Sequence, residues 1–77
     1  MVMAPARAAE QPVTVTTDTQ EYCSILGARL SVLPEAQLEP ARSIGADGRR
    51  LCESGHVRAG VARLRSALRL AQAAAAH

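Results

Sequence analysis

Two cysteines and one histidine carry most of the chemistry open to this sequence. Cys23 and Cys52 are its only cysteines. The stretch "GRRLCESGHVRAG", residues 48–60, sets Cys52 four positions before His56. Two thiols can close a disulfide. Two thiolates and an imidazole can instead hold a metal, and the set Cys23, Cys52 and His56 suits low-coordination copper(I) better than tetrahedral zinc. A pair of free thiols can simply be buried, as in a cytoplasmic protein. A nucleophilic cysteine needs an oriented base, and neither a CxxC pair nor a marked Cys/His arrangement supplies one. Glu35 and Glu39 flank a loop with nothing to work against. No nucleophile–base pair, carboxylate pair or phosphate-binding loop stands out, so the sequence reads as non-enzymatic and calls for no cofactor.

Arginine is the other group with chemistry to offer. All nine basic residues are Arg, and sixteen residues are Ala, a bias typical of GC-rich coding. Arg58, Arg65 and Arg69 fall within about 40° of one another on a helix turning 100° per residue. Such a stripe is either an ordinary solvated face or a docking surface for an acidic partner or anionic head groups. A net charge of +2 and three arginines without interleaved aromatics argue against nucleic acid. A protein partner is the expectation. No run of 18 apolar residues marks a membrane span.

The elements that must position these groups are helices. Asp18 is an expected N-cap, with Glu21 three residues on as in a capping box. Tyr22, Cys23, Leu26, Leu30 and Leu33 recur at helical spacing, and Pro34 forces an end. The spacing predicts a helix over 18–32. "PEAQLEP" is a connector with room for one helical turn. Pro40 suits the first position of a second helix over 40–54. There Ala41, Ile44, Gly48 and Leu51 step along one face with Cys52 at its edge, and Gly55 is the expected C′ residue. A third helix over 57–74 carries the stripe Val57, Val61, Leu64, Leu68 and Ala71.

Residues 41–74 form a 34-residue unit that resembles a tetratricopeptide repeat. The match lies in Gly48, Gly55, Gly60, Leu64, Ala67 and Leu68. The unit departs from the family in Ile44 for tryptophan, Asp47 for leucine, Leu51 for tyrosine, Gly60 for alanine and Gln72 for the closing proline. The resemblance implies an antiparallel hairpin whose small residues allow close packing, and a protein-binding role. It carries no binding residues across.

Antiparallel first and second helices bring the start of one beside the end of the other. Cys23 and Cys52 then meet on core-facing stripes, and a disulfide between them is expected. Such a bridge would supply roughly 3.5 kcal/mol in the chain-entropy model. A 77-residue chain with few large aliphatics needs such help.

Residues 1–17 show no packable periodicity and are expected to be extended or disordered. "APARAAEQP" resembles the end of a signal peptide whose start lies upstream. The expectation is therefore an all-α, three-helix domain over 18–74, a helical hairpin with a preceding helix stapled to it. A frayed tail over 75–77 follows. The expected setting is periplasmic or secreted, with a cytoplasmic setting as the alternative.

Overall fold

The computed structural model describes residues 18–76. Three α-helices make up the fold: α1 (Gln20–Ser31), α2 (Ala41–Glu53) and α3 (Val57–Ala75). A short 3₁₀ turn, Pro34–Gln37, joins α1 to α2. No strand occurs among the described residues. The expected all-α, three-helix architecture is the observed one. The lead-in expected over 1–17, with its expected signal-peptide remnant, and His77 lie outside the described residues.

Thr19, not Asp18, caps α1. Its backbone is extended, and its hydroxyl accepts a hydrogen bond from the Tyr22 N–H at 3.1 Å. A cap oxygen accepts from the N–H two or three residues on, and Thr19 takes the third. Cys23, Leu26 and Leu30 form the buried face of α1. The helix ends at Ser31. Leu33 is extended at φ −101°, ψ 117°, as a residue before proline should be, and still packs against the core. In the 3₁₀ turn, Ala36 is buried.

Pro40 stands one position earlier than expected, as the residue before the first turn of α2. A proline has no N–H and cannot cap through its side chain, so Glu39 takes that role. Its carboxylate accepts from the Ser43 N–H (3.2 Å) and Ser43 Oγ (2.9 Å) and pairs with Arg42 at 3.2 Å.

The buried face of α2 is Ala41, Gly45, Gly48 and Cys52. Ile44 and Leu51 flank it and are only half-buried. This corrects the expected face by part of a turn toward Cys52. The cause is the position of α2, which packs on α3 and also meets α1 on its Cys52 side.

Gly55 ends α2 with φ +91°, a conformation that costs an L-residue roughly 1–2 kcal/mol. The Gly55 N–H bonds the Cys52 carbonyl (3.1 Å) and the His56 N–H bonds the Leu51 carbonyl (2.8 Å). Those two bonds are the Schellman pattern. They reverse the chain into α3 with no other connector.

The α2–α3 hairpin is the most extensive contact in the molecule, and α1 packs more on α3 than on α2. Two glycines set how closely the hairpin closes. A Cβ on Gly48 would lie 2.8 Å from Leu64 Cγ and 3.0 Å from the Gly60 carbonyl oxygen. A Cβ on Gly60 would run into Cys52 Sγ and lie 2.8 Å from the Gly48 carbonyl oxygen. The helices therefore cross almost backbone to backbone. Val61, Leu64, Ala67, Leu68 and Ala71 of α3 complete the core.

Candidate functional site

The cysteines are bonded to each other. Cys23, the fourth residue of α1, closes its first turn and Cys52 lies in the last turn of α2, with Cα atoms 6.4 Å apart. Both are buried, at 6% and 4% exposure. The antiparallel run of α1 against α2 makes this possible. Gly27 stands beside Arg49, which donates to the Gly27 carbonyl at 3.4 Å. Leu30 stands beside Gly45 at the far end. Gln20 adds a further tie at the bonded end, donating to the Cys52 carbonyl at 2.7 Å.

The alternative ligand set of Cys23, Cys52 and His56 does not form. Both sulfurs are spent in the bridge and offer no thiolate. His56 is exposed at the entry to α3, beyond the Schellman turn that ends α2. Among the described residues, no three His, Cys, Asp or Glu side chains converge as a metal site. A shallow groove of about 200 Å³ lies over the disulfide between α1 and α2, edged by Ser24, Arg49 and Glu53.

The three arginines of the stripe are all exposed along α3. The helical period keeps them on one side because the opposite positions, Gly60, Leu64, Ala67 and Ala71, are drawn into the core. Arg65 lies over the Tyr22 ring, 5.8 Å from its centroid. Arg69 donates to Ser66 Oγ at 3.2 Å.

Charge is divided between the helices. Among the described helices, α3 alone has no Asp or Glu, and it carries four arginines. Residues 18–53 carry four arginines against six carboxylates. The ion pairs among the described residues, Arg42–Glu39 and Arg50–Asp47, serve α2. Neither involves an arginine of α3.

Sequence reasoning placed Tyr22 on the core stripe and missed its second use as a platform for Arg65. It also missed what lies beside that platform. Going round α1 from Tyr22 away from α2 come Arg29, Ile25 and Val32, spaced at helical intervals of four and three. Ile25 is 49% exposed and Val32 74%. The spacing of 25, 29 and 32 was visible in the sequence. Its neighbourhood with the α3 stripe was not, because that depends on which side of α1 meets α3.

No protein-family model, curated protein or solved structure matches this chain. No described helix is long and apolar enough to cross a membrane.

Proposed function

We propose that this chain is a small, exported, non-catalytic binding protein that works by docking helix surfaces on a protein partner. The observation that carries the reading is the exposed arginine face of α3. Arg58, Arg65 and Arg69 stand together there, with no ion pair to answer them among the described residues. Like charges one turn apart, as in Arg65 and Arg69, weaken a helix slightly, whereas charge complementarity with a partner speeds encounter and sets orientation.

The disulfide supports the exported setting, because such bonds persist in oxidising compartments. The glycine crossing of α2 and α3 supports the likeness to a tetratricopeptide hairpin, a unit that presents helix surfaces to other proteins.

The test is cross-linking of the native chain in the exported fraction of its own cells. The expected result is a protein-containing complex that the Arg58→Gln/Arg65→Gln/Arg69→Gln variant forms poorly. Confinement of the chain to the cytoplasm with both thiols reduced would end the exported reading. A chain that forms no protein complex in any fraction would end the binding reading.

A further inference from the structure

Resting on the reading of this chain as a binding protein, the geometry of one face narrows the partner. Arg65 and Arg69 are separated by one helical turn, about 6 Å along the axis, and Arg58 and Arg65 by two turns, about 10.5 Å. Two of these guanidinium groups are already placed, Arg65 by the Tyr22 ring and Arg69 by Ser66. Placement beforehand reduces the rotamer freedom lost on binding. The guanidinium fork then suits carboxylates two oxygens at a time.

The face continues onto α1. That helix runs antiparallel to α2, as the pairs Cys23–Cys52, Gly27–Arg49 and Leu30–Gly45 require. It therefore runs parallel to α3. Beyond the Tyr22–Arg65 contact it adds Arg29, Ile25 and Val32, with exposed Glu21 at the edge one turn before Ile25, so the cationic stripe of α3 borders two exposed aliphatic side chains.

We propose that this joint face of α1 and α3 docks an acidic amphipathic helix of a partner protein. Carboxylates spaced i, i+4 and i+11 match Arg69, Arg65 and Arg58 if that helix runs antiparallel to α3. The spacing i, i+7 and i+11 matches if it runs parallel. Apolar side chains on the adjoining stripe of the partner cover Ile25 and Val32.

A lipid surface is the weaker fit. Interfacial faces anchor through Trp or Tyr rings at the headgroup level. This chain has no Trp or Phe, and its single Tyr is half-buried and covered by Arg65. A fluid surface also gains nothing from guanidinium groups held at fixed intervals.

The probe is a designed helical peptide with Glu at i, i+4, i+7 and i+11 and Leu on the adjoining stripe. Its control has the same composition with the Glu residues spread around the helix. Calorimetric titration of the oxidised full chain at low ionic strength should show the patterned peptide binding about tenfold tighter or more than its control, the ratio expected from one or two well-placed charge-assisted contacts. Arg65→Gln with Arg69→Gln should remove that preference. Arg63→Gln, on the other side of α3, should leave it unchanged, and circular dichroism of each variant checks that the helices persist.

Equal binding of both peptides, or an Arg63→Gln loss as large as that of the pair, would reduce the face to unspecific charge attraction and overturn the proposal. Binding to phosphatidylglycerol vesicles with neither peptide bound would assign the face to a membrane instead. If the peptides fail while the native complex survives in the triple-arginine variant, the acidic-helix proposal falls and the binding-protein reading stands.

Discussion

Four glycines in helices look alike in the sequence and are unlike in the structure. Gly48 and Gly60 lie where two backbones touch, and the atoms that a new Cβ would meet include carbonyl oxygens that cannot swing away. A Cβ on Gly27 would meet only Arg49 Nε at 3.7 Å, and one on Gly45 only Leu30 Cδ1 at 3.5 Å and Ala67 Cβ at 3.7 Å. These are ordinary contacts. Alanine is favoured over glycine within a helix by about 1 kcal/mol, so the sign of each substitution depends on the space. Gly60→Ala and Gly48→Ala should each lower stability by roughly 1–3 kcal/mol, because overpacking outweighs the gain in propensity. Gly27→Ala and Gly45→Ala should raise it by roughly 0.5–1 kcal/mol. Denaturant unfolding of the four variants checks this, and a stabilised Gly60→Ala would mean that the helices cross elsewhere.

Helix α2 begins on an unusual cap. Pro40 leaves the first turn without a side-chain cap of its own, and the Glu39 carboxylate reaches over it to Ser43. The hydrogen bond from Ser43 Oγ, aided by the Ser43 N–H and the Arg42 charge, holds the Glu39 carboxyl below its usual pKa. A folded pKa lower than the unfolded one means that the unfolded chain binds the proton more readily. The contribution of Glu39 is therefore complete above the ordinary glutamate pKa and is lost as pH falls through the lowered folded value. Acidification through that window should fray the start of α2, seen as a loss of amide protection at Ser43 and Ile44 relative to the intrinsic exchange rate at each pH. The Glu39→Gln variant should show little further loss across the same window. If the variant and the parent lose protection equally, the cap is not the cause.

The whole molecule has a small core. Leu26 and Leu64 are its largest fully buried side chains, and alanines, glycines and the two cysteines supply much of the rest. Burying a large aliphatic side chain contributes about 1.5–3 kcal/mol, and alanines contribute far less. The Cys23–Cys52 bond compensates by joining residues 29 apart. It removes freedom from the unfolded chain and fixes α1, the helix with the least contact to α2. Reduction, or Cys52→Ser, should lower stability by about 2–5 kcal/mol, as in other small disulfide-bonded domains. Thermal unfolding with and without reductant measures it. An unchanged midpoint would show that helix packing alone suffices, and would remove the main support for an oxidising compartment.

Helix positions, the Gly55 turn and the pairing of Cys23 with Cys52 were legible in the sequence, because each rests on local periodicity or on a short connector that forces neighbours to be antiparallel. The arginine stripe was legible for the same reason. What the sequence left open depends on how helices rotate about their own axes. The buried face of α2 turned toward Cys52 because α1 covers that side, and no local pattern encodes a third element. Thr19 displaced Asp18 as the cap because both residues can cap, and the register was set by the helix that follows. Tyr22 beneath Arg65, with Ile25 and Val32 at its side, joins residues some forty positions apart. Only the packing of α1 along α3 brings them to one surface.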